Sequence, residues 1–357
     1  MNDFIIVGNG LAACAMAHAF YRERVSFKII GTGELSACSR VAGGVWNPVV
    51  FKRLTKSWLA DDLLPSLHEF YSECEATLGK KLVTERTIIR PFSEEQEKNL
   101  WKKKAVNDLA DYLDPQIHEQ DDHLNDFIIP QGYGVVKGAG SINMPLFLDA
   151  TLAFFSNSCI SGVFDHSLLK ITQDGVEYQS VKARQIVFCE GYRVADNPFF
   201  SWVPLKPAKG ETLSIFSENI SLRNSVFTKN GFLMDMGDHI FKAGSTYNWN
   251  DLTEAPTNKG RQEIKEKISE ITGCKYEIVG HGAGVRPSSV DRRPVIGPHP
   301  VHGSVHIFNG LGTKGIMLAP YFVKKFVNFS LHQGKLNAEV HVKRFYHLYD
   351  QEKKTQD

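Results

Sequence analysis

The chain has 357 residues, and its 41 basic and 40 acidic side chains give a formal net charge of +1. At ~150 residues per domain this length predicts about two domains, and the hydrophobic share of 42% excludes the composition of a disordered chain. The charge balance leaves no basic excess for phosphate contacts, so a nucleic-acid partner is not expected.

The first 30 residues predict a strand–helix–strand unit. Residues 3–7 form a short apolar run that ends in glycines, which is typical of a buried strand, and residues 27–30 form a second such run. Between them, residues 11–22 are small and apolar at helical spacing. Such an opening is typical of an α/β domain with a parallel sheet.

Further along the chain, apolar spacing predicts helices and short apolar runs predict strands. The expected helices cover residues 58–78, 93–113, 145–155, 261–272 and 315–331. The expected strands cover residues 186–188, 212–216, 225–228, 232–236, 239–243 and 305–308. The four runs between residues 212 and 243 indicate an antiparallel sheet, whereas the charged tail from Asp350 is expected to fray.

Gly8, Gly10 and Ala13 hold the positions of a dinucleotide-binding fingerprint between the first strand and the first helix. The first glycine permits a tight turn, the second lets a pyrophosphate approach the backbone, and the third small residue keeps the helix close to the sheet. Leu11 and Ala12 begin the helix, whose N–H groups and positive dipole end favour phosphates. The alternative interpretation is a glycine-rich turn without a ligand.

One part of the fingerprint is missing. An acidic residue that binds the ribose is expected roughly 20 residues on, at the end of the second strand, where this chain has Gly31. Glu34 follows three residues later and is the candidate to reach the ribose from the loop. No arginine is present there for a 2′-phosphate, so NADP is not favoured.

Three features bear on the compartment. The apolar stretch 4–20 lacks the positive start of a secretory signal and is interrupted by glycines. No later segment has ~18 apolar residues without charge, so no membrane partner is expected. The six cysteines form no CxxC pair, which argues against a metal site and favours a reducing, cytoplasmic environment.

Several further segments share the order and spacing of a known family. One is the glycine-containing segment 40–48 directly after the second strand. The others are 209–211, 243–246, 284–287, 291–297 and 310–320. Together they resemble the D-amino-acid oxidase superfamily, which includes glycine and sarcosine oxidases. The resemblance is specific at the two ends of the chain and vaguer between residues 79 and 126.

The resemblance implies bound FAD and an α/β chain, α+β overall. A Rossmann-like FAD-binding domain would comprise residues 1–78, 130–204 and 275–335. A mixed or antiparallel-sheet substrate domain, 79–129 with 205–274, would be interleaved with it, and 336–357 would be a C-terminal extension. The FAD is expected to be non-covalent, because no cysteine follows Cys274. The implied FAD-binding residues are Gly8, Gly10, Leu11, Ala12, Ala13, Glu34, Ser39, Arg40, Gly43, Gly44, Val45, Gly191, Gly310, Gly312, Thr313, Lys314 and Gly315.

The resemblance also implies a substrate site centred on Arg286, because a guanidinium offers a planar fork that matches a carboxylate. The alternative is a structural arginine in a surface ion pair. Lys242 resembles a lysine that promotes the reaction with oxygen, although a solvent-facing strand lysine is equally compatible. Tyr247 and His281 are candidates to border the substrate, with core or structural roles as their alternatives.

The function implied is oxidation of the C–N bond of an amino acid or related amine, in which a hydride passes from Cα to flavin N5 and the imine is hydrolysed. Three alternatives remain. One is a superfamily dehydrogenase with an electron acceptor other than oxygen, and another is an amine oxidase domain of the tRNA-modification type. The third is a flavin-free binding protein that retains the fold. The substrate's identity and the oligomeric state are not determined by the sequence.

Overall fold

A computed structural model describes residues 1–31, 37–119 and 122–356 of the chain. Within these residues the helices are α1 (Leu11–Arg22), α2 (Ala37–Val41), α3 (Ala60–Leu78), α4 (Glu95–Ala105), α5 (Met144–Phe154), α6 (Asn258–Ser269), α7 (Gly315–His332) and α8 (Tyr346–Gln356). The strands are β1 (Asn2–Val7), β2 (Phe27–Gly31), β3 (Val45–Trp46), β4 (Val49–Val50), β5 (Thr55–Lys56), β6 (Val83–Pro91), β7 (Tyr133–Ile142), β8 (Cys159–Ser161), β9 (Leu169–Thr172), β10 (Gly175–Tyr178), β11 (Val181–Phe188), β12 (Ala208–Phe216), β13 (Ser225–Thr228), β14 (Phe232–Gly237), β15 (Ile240–Gly244), β16 (Glu277–Arg286), β17 (Val295–Pro298) and β18 (Val305–Asn309).

The first sheet has the order β17-β18-β11-β1-β2-β8, and β10 joins it beside β11 with β9 next. Strands β8, β2, β1, β11 and β18 run parallel, with Val7 opposite both Ile30 and Phe188. Because most side chains of α1 are small or apolar, the helix packs between this sheet and α7. The predicted strand–helix–strand opening and the α/β class are therefore confirmed.

The second sheet has the order β16-β12-β15-β14-β13-β6-β7-β3. Its pairs are antiparallel except for β13 with β6, so the sheet is mixed, as expected. It includes β7 and β16, whose residues the sequence assigns to the nucleotide-binding part of the chain. The exact domain boundaries stay a prediction.

The structure corrects two expected elements. The helix predicted to reach residue 113 ends at Ala105, and the following turns bury Leu109 and Leu113 beside Trp101. The spacing of Leu109 and Leu113 therefore indicated that both side chains are buried, and it did not indicate that the helix continues. The tail from Asp350 is helical rather than frayed, because α8 runs to residue 356 and Ser201 Oγ donates to Glu352 Oε1 at 3.2 Å. Among the described residues, no helix has the length and apolar character needed to cross a membrane.

Candidate active site and cofactor cradle

A cavity of about 710 Å³ lies where the carboxyl ends of β1, β2 and β11 meet β12 and β16 of the second sheet. This is the edge of a parallel sheet at which α/β proteins bind ligands. Glycines from seven separate segments line the cavity, so backbone comes close to its contents. They are Gly8, Gly10, Gly31, Gly43, Gly44, Gly191, Gly210, Gly284, Gly312 and Gly315.

One end of the cavity is the turn between β1 and α1. Gly8 has φ +122°, and a Cβ there would lie 2.6 Å from the carbonyl oxygen of Cys189, so the turn requires glycine. The N-terminus of α1 has no side-chain cap and no acidic residue in its first turn. The N–H of Leu11 donates to Ser39 Oγ at 3.1 Å. This end therefore offers a positive helix terminus to an anion.

Leu11 and Ala12 of the fingerprint line the cavity, and so does Ser39, which the resemblance implies as an FAD-binding residue. Ala13 is fully buried in the core between helix and sheet, in agreement with a packing position. Arg40 does not line the cavity in the described part of the chain. Its guanidinium is paired with Asp149 of α5, and its role in FAD binding stays a prediction.

The ribose position differs from the fingerprint in a way that the structure explains. Gly31 lines the cavity, and a Cβ at this position would lie 2.9 Å from Cβ of Asn9. The Asn9 side chain therefore leaves little space for a larger residue at the end of β2. Glu34, the expected substitute, lies outside the described residues.

Two cavity residues near this edge were not predicted. His166 Nε2 lies 2.8 Å from Glu190 Oε1, and Asn197 Nδ2 donates to Glu190 Oε2 at 2.6 Å. His166 follows β8 and Glu190 follows β11, so only the sheet order brings them together. The one signal in the sequence is that Glu190 directly precedes the predicted Gly191 at the end of a buried strand.

The segment after α2 forms another wall. Gly43, Gly44 and Val45 line the cavity. Gly44 has φ +66°, and a Cβ there would overlap the carbonyl oxygen of Ile142, so this approach of loop to strand also requires glycine. At Gly43 and Gly44 the cavity wall is therefore formed by backbone.

The turn before α7 closes the cavity from the other side. Gly312, Thr313 and Gly315 line it, whereas Gly310 and Lys314 lie behind these residues. Helix α7 has no side-chain cap and no acidic residue in its first turn, so it presents a second positive helix terminus. Lys314 Nζ donates to Ser57 Oγ. Burial lowers the pKa of Lys314 to about 8.

Arg286, at the end of β16, lines the same cavity. Its Nη2 donates to Ser245 Oγ at 2.8 Å, and its Nη1 lies 3.3 Å from the carbonyl oxygen of Thr246. The Cζ atom is 4.3 Å from the ring centroid of Tyr247, which also lines the cavity. Among the described residues, no Asp or Glu forms an ion pair with this guanidinium. A partly buried cation without an internal anion is the chemistry of an anion-binding site.

Two other predicted residues lie behind the cavity wall. Lys242 Nζ donates to the carbonyl oxygen of Ala42 at 3.1 Å, and burial lowers its pKa to about 8. His281 does not line the cavity in the described part of the chain, since its Nε2 lies 2.8 Å from Glu211 Oε2. This position beside a buried carboxylate agrees with the alternative interpretation of His281 as a structural residue. No group of three or more metal-ligating side chains was found among the residues described.

The FAD-dependent oxidoreductase (DAO) family profile matches residues 3–326. The chain belongs to this family of FAD-dependent oxidoreductases. It is 24% identical over 247 residues to glycine oxidase of Bacillus subtilis, a match that spans 64% of each chain. It is 22% identical over 316 residues to the tRNA 5-methylaminomethyl-2-thiouridine biosynthesis bifunctional protein MnmC of Legionella pneumophila, covering 83% of this chain and 45% of the relative. The matches thus span less than two thirds of these curated relatives.

Solved structures show the same fold. Glycine oxidase of Geobacillus kaustophilus superposes with a TM-score of 0.79 at 17% identity, covering 94% of this chain and 95% of that one. Iminodiacetate oxidase of Chelativorans sp. BNC1 also gives 0.79, at 15% identity, covering 96% and 98%. The FAD cofactor and the fold class expected from the motifs are therefore confirmed. The donor set fits FAD, because two uncapped helix termini and backbone exposed at glycines suit a pyrophosphate and a flat ring.

Proposed function

We propose that this protein oxidises the C–N bond of an amino acid or a related amine that carries a carboxylate. The observation that carries the proposal is the Arg286 guanidinium, which faces the cavity and has no carboxylate partner among the described residues. A substrate carboxylate supplies the missing anion. The relatives named glycine oxidase and iminodiacetate oxidase support this class of substrate.

The proposed FAD site uses the glycine-lined walls. The N-terminus of α1 would hold the pyrophosphate with backbone N–H groups near Gly10. Gly43 and Gly44 would lie against the flavin ring, and the N-terminus of α7, with Thr313 and Gly315, would face its pyrimidine edge. When bound, FAD supplies an acceptor for two electrons.

The role proposed for the protein's own groups is binding and orientation. Arg286 binds the carboxylate, and Ser245 Oγ and the Thr246 carbonyl fix the direction of its guanidinium. The amine loses its ammonium proton to water before oxidation, so we assign no catalytic base. The product is an imine, which water hydrolyses to a carbonyl compound and an amine or ammonia. Orientation of this kind accounts for a large share of the rate in enzymes that rely on a cofactor.

Oxygen is the electron acceptor we propose, with Lys242 as the residue that promotes its reduction. Lys242 lies behind Ala42, which lines the cavity next to Gly43. We also propose a cytoplasmic location, supported by six free cysteines.

A second candidate is an amine oxidase of the tRNA-modification type, favoured by the similarity to MnmC over 83% of this chain. The net charge of +1 speaks against it, because a tRNA-binding surface needs an excess of basic residues. Activity on free amino acids without any activity on tRNA nucleosides would separate the two.

The test begins with the visible spectrum of the purified protein, which should show flavin bands. Amino acids and N-substituted glycines are then added without oxygen, and the bands should bleach. Absence of flavin bands even after FAD is added would favour a binding protein that retains the fold. Bleaching without peroxide production in air would favour a dehydrogenase with another acceptor.

A further inference from the structure

Two large aromatic side chains are exposed on the segment after β15. Tyr247 is 49% exposed and Trp249 is 56% exposed. Their ring centroids lie 6.1 Å apart with the planes inclined by 35°. Exposed aromatic surface of this size in a soluble fold commonly marks a place where a ligand or partner binds.

The segment that carries them is fastened to β12. The backbone of Asn248 pairs with that of Lys209 in both directions, at 2.8 and 3.0 Å. The fully buried Lys209 donates its Nζ to Asp251 Oδ2 at 2.5 Å and to Thr253 Oγ1 at 3.1 Å. The backbone that carries the aromatic pair is thus anchored to β12, which reduces the part of the segment that a ligand would have to order.

The aromatic pair is continuous with the carboxylate site. The Arg286 Cζ atom lies 4.3 Å from the centroid of the Tyr247 ring, and Tyr247 in turn contacts Trp249. Within the described residues, Tyr247 lines the cavity and Trp249 does not, so a substrate held by its carboxylate on Arg286 would pass Tyr247 before it reached Trp249. A substrate as small as glycine has no atoms to reach the second ring.

From this arrangement we infer that Tyr247 and Trp249 form a subsite for a planar ring carried by the amino-acid substrate, on its nitrogen or on Cα. This inference rests on the proposed function, since Arg286 fixes the other end of the substrate. Ring stacking is directional and is worth about tenfold in affinity for a well-placed pair. The preferred substrate is then an amino acid with an aromatic or heteroaromatic substituent.

The test compares ring-bearing and ring-free ligands on the holoenzyme. N-benzylglycine, D-phenylalanine and L-phenylalanine are compared with N-methylglycine as substrates, by the apparent Kd from the dependence of the rate of anaerobic flavin bleaching on substrate concentration. Phenylacetate and acetate are compared by calorimetry, which requires no turnover. We expect at least one ring-bearing substrate to have an apparent Kd about tenfold lower than that of N-methylglycine, and phenylacetate to bind about tenfold more tightly than acetate. The comparison of N-benzylglycine with the two phenylalanines shows whether the preferred substrate carries its ring on nitrogen or on Cα.

Variants of Trp249 then test whether this side chain causes the preference for phenylacetate over acetate. Trp249→Ala should reduce the phenylacetate-to-acetate preference by about fivefold to tenfold, and Trp249→Phe should restore most of it. Val301→Ala, at a 63% exposed apolar position on the loop between β17 and β18, should leave the preference as in the unaltered protein. The subsite is overturned if the unaltered protein does not prefer phenylacetate to acetate. It is also overturned if Trp249→Ala keeps this preference unchanged.

The two proposals fail in different ways. If no amine bleaches the flavin, the proposed function is wrong, and the calorimetric comparison still decides whether the ring subsite exists. If N-methylglycine bleaches the flavin but ring-bearing ligands gain nothing, only the subsite is wrong.

Discussion

The guanidinium of Arg286 occupies the space that the missing side chain of Gly210 leaves on the neighbouring strand, and a Cβ on Gly210 would overlap it. The two residues lie on β16 and β12, which pair in an antiparallel register that places Gly210 opposite Gly284. The direction of the proposed carboxylate-binding group is therefore fixed by a glycine on another strand.

Gly210→Ala should displace the guanidinium without touching the pyrophosphate end of the cavity. We expect KM for amino-acid substrates to rise by about tenfold to a hundredfold while FAD stays bound, because a small misplacement of a binding group is costly. Gly303→Ala is the matched control, since a Cβ there meets nothing within 4 Å. Equal KM values in both variants would contradict the role assigned to Gly210.

The ion pair between Lys209 and Asp251 should respond unequally to removal of its two partners. Lys209 is fully buried, whereas Asp251 is partly exposed. Asp251→Asn leaves a buried cation without its anion, but Lys209→Met leaves a carboxylate that water reaches. Asp251→Asn should therefore lower the free energy of unfolding more than Lys209→Met does, as measured by chemical denaturation. The opposite order would show that the hydrogen bonds of the Lys209 ammonium group, including the one to Thr253, contribute more than the charge of Asp251 does.

Replacing Gly31 at the end of β2 by the acidic residue that the fingerprint expects should not improve FAD binding by itself. Gly31→Glu brings a Cβ to within 2.9 Å of Asn9 Cβ, so the turn that receives the pyrophosphate must shift. We expect weaker FAD binding in Gly31→Glu and recovery in the double variant Asn9→Gly, Gly31→Glu. Flavin fluorescence titration gives both dissociation constants. Tighter binding in the single variant would contradict the explanation based on Asn9.

Lys242 should make stability depend on pH above neutrality. Burial lowers its pKa to about 8, while the unfolded chain keeps the ordinary value of about 10.5. Between these values the unfolded state binds more protons, so stability rises with pH. Lys242→Met should stabilise the protein at pH 7 by about 1–2 kcal/mol, and this gain should shrink toward pH 10.5.

The control for this pH dependence is Lys170→Met, at an exposed position of β9. Because this variant keeps Lys242, its denaturation curves from pH 7 to 10.5 should show the same rise of stability with pH as the unaltered protein, whereas Lys242→Met should lose that rise. If Lys242→Met destabilised the protein equally at every pH, the hydrogen bond to Ala42 would outweigh the burial of the charge.

The sequence was most informative where a backbone feature requires a residue type. Gly8 and Gly44 were predicted at the cavity because a tight turn or a close approach needs glycine, and both have positive φ. Strand β7 was missed because its glycines interrupt the alternating pattern. Gly134 and Gly140 make room for the rings of Trp101 and Trp46, which come from distant segments.

The contacts of some predicted residues depend on tertiary pairing and could not be read from the sequence. The sequence shows neither that His281 lies against the Glu211 carboxylate nor that Arg40 pairs with Asp149. Neither side chain lines the cavity in the described part of the chain, and their predicted roles at the site stay predictions. Glu190 was not predicted at the site, although it lines the cavity. Only the sheet order reveals that it faces the same cavity as the fingerprint.

The central claim is that Arg286 selects amines that carry a carboxylate. Its most direct test compares kcat/KM for N-methylglycine and dimethylamine, which differ by the carboxylate, in the unaltered holoenzyme and in Arg286→Met. We expect the unaltered protein to prefer N-methylglycine by about a hundredfold or more. Arg286→Met should lose this preference and keep its flavin spectrum. An undiminished preference for the carboxylate in Arg286→Met would contradict the account.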